Sequence, residues 1–202
     1  MRKTMKYIVS LLLALMMIPV AALAQSEPAA TNADGKPYVL NEFQGTALDL
    51  TQYKGKAIWL NFFTGWCPYC MTEMPFIKQV FDEYSKDDIA IVLVHVWDGE
   101  TADDSKTVIE KFGLQDMTMV EDQDQNLSSL VGLSGYPTSF FIDKEGYLLS
   151  GTYGLTYDDM TSYMDQLGVA KLDAAATDAT ATADVTAAPD AIATTTPAAS
   201  AQ

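Results

Sequence analysis

Cysteine and histidine are scarce in this chain of 202 residues: two cysteines, Cys67 and Cys70, and one histidine, His95. A structural zinc centre takes more Cys and His ligands than that, so no metal site is expected. His95 lies in the pattern of a buried strand and reads as a packed core residue. Basic residues are also few, 12 against 27 acidic, for a formal net charge of −15. Such a chain should avoid nucleic acid and anionic membrane surfaces. Internal repeats are absent. No cysteine stands near the N-terminus to carry a lipid, which argues against a lipoprotein.

The ends of the chain differ from its middle. Arg2, Lys3 and Lys6 precede the apolar run Ile8 to Val20, and Ala22-Leu23-Ala24 has the A-x-A form of a cleavage site. This is the pattern of a signal peptide, with a cut expected after Ala24. The other reading is an uncleaved anchor, but the run is at the short limit for a span and is broken by Ser10 and Pro19. Cleavage removes three of the 12 basic residues and none of the 27 acidic ones, leaving nine against 27 and a charge of −18. Residues 25–36 are small and polar and read as a linker. Residues 37–172 hold every aromatic except Tyr7, and both cysteines, which fits one domain of ordinary size. Residues 173–202 form a tail in which 20 of 30 residues are Ala or Thr. It has too little apolar surface to offset its ordering entropy, so it is expected to be disordered.

Within the domain, Tyr38 to Asn41 and Ala47 to Leu50 flank Gly45 and suggest a hairpin. Ala57 to Phe63 and Ile89 to Trp97 are nearly continuous apolar runs, as in strands buried on both faces. Phe76, Ile77, Val80, Phe81 and Tyr84 recur at helical spacing; Met71 and Met74 fit the same helix as packing residues. Further helices are expected at about Ala102 to Phe112, Gln125 to Val131 and Tyr157 to Leu167. Further strands are expected at Met117 to Glu121, Thr138 to Ile142 and Tyr147 to Thr152, the last two joined by Asp143-Lys144-Glu145-Gly146. This order predicts an α/β sandwich, a central mixed sheet with helices on both faces.

The chemistry concentrates in Trp66-Cys67-Pro68-Tyr69-Cys70. Two thiols at C-x-x-C spacing can close a small disulfide ring and reopen it. A purely structural bridge is the plain alternative, but a ring this small restricts the unfolded chain very little. Export would place the pair where disulfides persist. A helix starting near Cys67 puts that sulfur at the positive end of the macrodipole, which favours the thiolate that attacks a disulfide. Pro68 suits the first turn, where its missing N–H is no loss. Cys67 is thus the expected attacker and Cys70, one turn on, the resolver. Pro75 should kink the helix.

Tryptophan before C-x-x-C after a buried strand resembles the thioredoxin superfamily. Gly135-Tyr136-Pro137-Thr138, directly before a strand, resembles that family's cis-proline loop, which offers backbone atoms to a bound substrate. Asn61-Phe62-Phe63, Glu73-Met74-Pro75, the stretch Val120 to Val131 and Ile142 to Gly146 are similar to the exported TlpA-like branch, which includes the reductases of cytochrome c maturation. The resemblance covers roughly Tyr38 to Gln166. By residue type alone Glu73 reads as a helix-surface glutamate; the resemblance implies a thioredoxin-like three-layer sandwich, a proton-moving role for Glu73 beside the cysteines, and substrate contacts at Trp66, Tyr136 and Pro137. The dipeptide Pro68-Tyr69 also occurs in glutaredoxins and departs from many cytochrome c maturation reductases.

The leading expectation is an exported thiol-disulfide oxidoreductase, acting more as reductant than oxidant, on the periplasmic or extracellular face of the membrane. It would need no cofactor, and it would work as a monomer. Its partners would be client proteins with disulfides or thiols and an upstream redox partner such as a membrane electron carrier. The alternative from another class is a metallochaperone holding Cu(I) between Cys67 and Cys70, since soft thiolates suit that ion. A peroxidase of the same fold is a third reading, weakened because those enzymes carry a lone peroxidatic cysteine.

Overall fold

The structure is a computed structural model that describes residues 30–173. The signal-peptide pattern, the first part of the linker and nearly all of the Ala/Thr-rich tail lie outside the described residues. Five strands form one sheet: β1 (Ala57–Phe63), β2 (Ile89–Val96), β3 (Thr118–Asp122), β4 (Thr138–Ile142) and β5 (Leu148–Tyr153). Four helices accompany them: α1 (Pro68–Glu83), α2 (Ala102–Phe112), α3 (Asn126–Leu130) and α4 (Tyr157–Gln166). The strand order is β3-β2-β1-β4-β5. β1, β2 and β3 run parallel, β4 adds antiparallel to β1, and β5 adds antiparallel to β4, so the sheet is mixed as the element order predicts.

All seven residues of β1 are buried, which is why the run lacks the polar alternation of a half-exposed strand. Successive side chains still point to opposite faces. Trp59 and Phe63 join the cluster made with α1, α2 and α4, through Met74, Ile77, Val80, Val108, Met160 and Met164. Ile58, Leu60 and Phe62 face the other way, onto Leu40, Phe43, Leu48, Leu50 and Leu127 of α3. In α1 the buried positions are Cys70, Glu73, Met74, Ile77 and Val80, the 3–4 spacing of one helix face. Pro75 sits inside this helix, which continues through it to Glu83.

The hairpin expected around Gly45 is not formed. The segment instead makes two short 3₁₀ turns, Leu40–Phe43 and Leu50–Tyr53. Leu40 and Phe43 are both buried, and a three-residue interval suits a 3₁₀ turn where a strand would send them to opposite faces. Asp49 caps the second turn by accepting from the Thr51 N–H. The only ladder contact of the first strand-like piece is a bridge from Tyr38 to Tyr147, at the start of β5. Gly146 stands in the β4–β5 turn with φ 93°, where any side chain would be strained and would run into Tyr38. Part of the stretch read as a linker is folded: Thr31 bridges to Pro37, and the Asn32 side-chain oxygen accepts from the Asp34 and Lys36 amides. At the other end, the Leu172 N–H donates to the Glu83 carbonyl, which docks the chain's last described residues on the end of α1.

Candidate active site

The parallel arrangement brings the ends of β1 and β2 together at one edge, and the loop after β1 carries the C-x-x-C. Ligand sites of α/β sheets lie at this carboxyl edge. Cys67 is the N-cap of α1 with extended backbone, Pro68 takes the first helical position, and the Cys67 Sγ accepts from the Cys70 N–H at 3.1 Å. The two cysteines are joined in a disulfide, with Cα atoms 5.3 Å apart. In this oxidised state both sulfurs are covered: Cys67 is 3 % exposed and Cys70 0 %. The difference runs in the direction expected of attacker and resolver, but it is small. Trp66 and Tyr69, on either side of Cys67, are exposed.

The register of β4 against β1, Thr138 opposite Phe62, places the preceding loop beside the start of the Cys67 loop. The Tyr136–Pro137 bond in that loop is cis. Pro137 is buried, and the Tyr136 ring stands edge-on to Trp66 with centroids 5.8 Å apart. The cis-Pro137 loop, distant in sequence, therefore meets the residue before Cys67 through the Tyr136–Trp66 contact. Burial, followed by the negative charges of Asp98, Asp122 and Glu100, pushes the Tyr136 hydroxyl above its ordinary range, so it stays a neutral donor.

Glu73 is buried, not on the helix surface. One carboxylate oxygen accepts from the Leu155 N–H and the other from Asn61 Nδ2 at 3.3 Å. Burial pushes its carboxyl above the usual range, and the two hydrogen bonds only partly offset that. Asn61 Nδ2 also donates to Ser139 Oγ at 3.1 Å, and Trp59 Nε1 donates to the same oxygen at 2.9 Å. Asn61 Oδ1 and Thr64 Oγ1 are buried without a partner. A polar layer of Asn61, Ser139 and Glu73 thus lies within the core that covers Cys70.

Asn61 and Ser139 belong to no motif that assigns them a role from sequence. The signal that could have shown them is their place in the alternation: each interrupts the apolar series facing α1, Asn61 between Trp59 and Phe63, Ser139 two residues before Phe141. His95 is buried as expected, but it is not simply packed; both ring nitrogens meet carboxylates, Glu121 at 2.7 Å and Glu100 at 2.9 Å. Among the described residues, no group of three or more His, Cys, Asp or Glu side chains is arranged to hold a metal. No described helix is long and apolar enough to cross a membrane.

The arrangement has counterparts. Residues 30–150 match the AhpC/TSA family model. The thiol-disulfide oxidoreductase ResA of Geobacillus thermodenitrificans is 32 % identical over 141 residues, 68 % of this chain and 78 % of the relative. The exposed lipoprotein thioredoxin of Streptococcus pneumoniae superposes with a TM-score of 0.51 at 28 % identity, over 58 % of this chain and 89 % of that one. A secreted Mycobacterium tuberculosis disulfide oxidoreductase homologous to DsbE of E. coli shares the fold, with a TM-score of 0.52 at 21 % identity over 69 % of this chain and 96 % of that one. With a mixed five-stranded sheet, helices packed on it and a C-x-x-C pair capping α1, this chain belongs to the AhpC/TSA family and is a thiol-disulfide oxidoreductase of thioredoxin-like fold.

Proposed function

We propose that this protein is exported and reduces disulfides in client proteins through Cys67 and Cys70. The observation that carries the reading is the placement of Cys67 as N-cap of α1, bonded to Cys70 and flanked by Trp66, Tyr136 and cis-Pro137. In the reduced protein the Cys67 thiolate attacks one sulfur of a client disulfide. That S–S bond breaks, a mixed disulfide forms, and the released client sulfur takes a proton. Cys70 then gives its proton to the Glu73 carboxylate and attacks the Cys67 sulfur. The mixed disulfide breaks, the second client thiol leaves, and Cys67–Cys70 is oxidised. Two electrons have moved to the client, and an upstream dithiol or membrane-bound electron carrier must return them.

The raised affinity of Glu73 for a proton suits it to this transfer. Trp66, Tyr136 and Pro137 form the surface on which the client segment lies. Export is supported by the basic n-region, apolar run and A-x-A pattern, and by the secreted and surface-exposed character of the mycobacterial and pneumococcal relatives. The protein acts as a monomer, and neither nucleic acid nor a bound cofactor takes part.

The test is a trap. Cys70→Ser in the full chain leaves Cys67 able to attack but removes the group that displaces it, and uncatalysed exchange is slow. Non-reducing gels of the exported fraction should show new high-mass bands that vanish with dithiothreitol and are absent from Cys67→Ser. Cytochrome c precursors among the trapped proteins would define a maturation role; diverse secreted proteins would define a general one. A folded, exported variant that traps nothing, with tight one-to-one Cu(I) binding by the wild type, would overturn the reading in favour of a copper carrier.

A further inference from the structure

The backbone leading into Cys67 is held from outside the C-x-x-C segment. The Gly65 N–H donates to Glu100 Oε2 at 2.7 Å, and Trp66 Nε1 donates to the Asp98 carbonyl at 2.9 Å. A Cβ on Gly65 would lie 2.8 Å from Glu100 Oε1, so the missing side chain is what lets the carboxylate reach the amide. The same Glu100 Oε2 faces His95 Nε2 at 2.9 Å, and His95 Nδ1 faces Glu121 Oε2 at 2.7 Å. Glu121 also accepts from Trp97 Nε1 at 2.7 Å and from Ser105 Oγ at 2.6 Å. The His95 side chain has no exposure and that of Glu100 8 %, while Glu121 reaches the surface at 33 %.

The other groups around the ring do not supply the missing proton. From β1 the ring meets Phe63, with centroids 5.3 Å apart. From α2 the charged groups are Asp104, held by Thr101, and Lys106, paired with Asp103. A neutral imidazole has one N–H, yet each ring nitrogen here faces a carboxylate oxygen. Both contacts are hydrogen bonds together only when the cluster holds one proton more than two carboxylates and a neutral imidazole.

We propose that Glu100 is a positioning residue for Cys67, whose hold on the Gly65 amide is set by a proton shared with His95 and Glu121. The inference rests on the reading of Cys67 as the attacking thiol. With the proton in place, Glu100 accepts from Gly65 and His95 at once, and the cluster carries a single net negative charge. When the proton leaves, one carboxylate faces a bare ring nitrogen, and a second negative charge is left under the loop that ends in Cys67. That charge disfavours the thiolate and slows attack.

Glu100→Gln separates charge from scaffold. Gly65 N–H and His95 Nε2 meet the same Glu100 oxygen, so the amide must turn: its NH2 takes the place of Oε2 and donates to His95 Nε2, its oxygen, on the Oε1 side beside Gly65, accepts from the Gly65 N–H, and a neutral ring donates to Glu121. Every contact is then met without the extra proton, and the single net negative charge is kept. The experiment measures iodoacetamide labelling of the reduced protein against pH, with mass-spectrometric assignment, in a Glu73→Gln background so that Glu73 does not titrate. The ring-nitrogen signals of His95, the chain's one histidine, are followed in parallel. Labelling of Cys67 should show two ionisations with Glu100 present, one of them at the pH where the ring signals change, and a single ionisation in Glu100→Gln. Glu100→Ala, which leaves the Gly65 amide unpaired, should slow labelling about tenfold relative to Glu100→Gln. A Cys67 profile in Glu100→Gln that superimposes on its Glu100 parent would overturn the proposal. Preferential labelling of Cys70 throughout would instead overturn the attacker assignment on which it rests.

Discussion

Glu73 shows how one side chain can bear on both chemistry and stability. Its carboxyl lies buried on the core face of α1, against Asn61 and the Leu155 backbone, and binds a proton more tightly than an exposed glutamate does. Glu73→Gln keeps the shape and can still accept the Leu155 N–H, but it cannot take up the proton of Cys70. The exchange rate with a model disulfide should fall by about a hundredfold, the scale of lost general-base catalysis, with the circular dichroism spectrum unchanged. The sign of the pH effect on stability follows from the raised value. A carboxyl whose folded pKa exceeds its unfolded one stabilises the fold most below the unfolded pKa, and this is lost as pH rises through the folded value. In urea titrations, wild type should therefore lose stability relative to Glu73→Gln as pH is raised through that window. Parallel stability curves and equal exchange rates would make Glu73 a silent core residue.

At the scale of elements, α1 connects the site to the rest of the molecule. Its N-terminus holds Cys67, and its last residue, Glu83, ties its other end to α4 and the C-terminal segment. Hydrogen bonds from Tyr157, Gln79 and Lys171 hold the Glu83 carboxyl down at about 2. The Tyr157 hydroxyl donates at 2.5 Å and Lys171 Nζ lies at 2.9 Å. A depressed carboxylate contributes stability above its unfolded pKa and loses it as pH falls toward the folded one. Glu83→Gln should lower the melting temperature at neutral pH, and the gap should close as pH approaches about 2. The pair is partly solvated, so the loss should stay below about 1 kcal/mol. A gap that does not change with pH would mean that the carboxylate's charge is not what joins these elements.

For the whole molecule, the folded unit begins no later than Thr31, which pairs with Pro37, and among the described residues the last tertiary hydrogen bond is that of Leu172 to Glu83. The Ala/Thr-rich tail has too little apolar surface in its sequence to add to the core. A chain shortened to residues 30–173 should melt within about 2 °C of the chain that begins at Gln25, since a domain of this size shifts by several degrees per kcal/mol. It should also reduce insulin disulfides at the same rate. A clearly lower melting temperature would place part of the tail in the fold.

Much of this was legible in the residues themselves. The β1, β4 and α2 spans, the C-x-x-C at the start of a helix and the mixed sheet follow from local patterns, because burial on both faces and helical spacing leave a one-dimensional trace. The segment before β1 has the sequence pattern of a hairpin but forms 3₁₀ turns, since Leu40, Phe43, Leu48 and Leu50 serve a sheet face that does not exist until β1, β2 and β4 have assembled. The same limit applied to the site. Glu73 shares the spacing of the buried face of α1 but by residue type reads as surface, and its partners come from β1 and the Leu155 backbone, far off in the chain. His95, Glu100 and Glu121 are separate signals along the chain. Strand register and the turn after β2 bring them onto one another, because hydrogen bonds between distant residues are set by the assembled sheet and leave no local pattern to read.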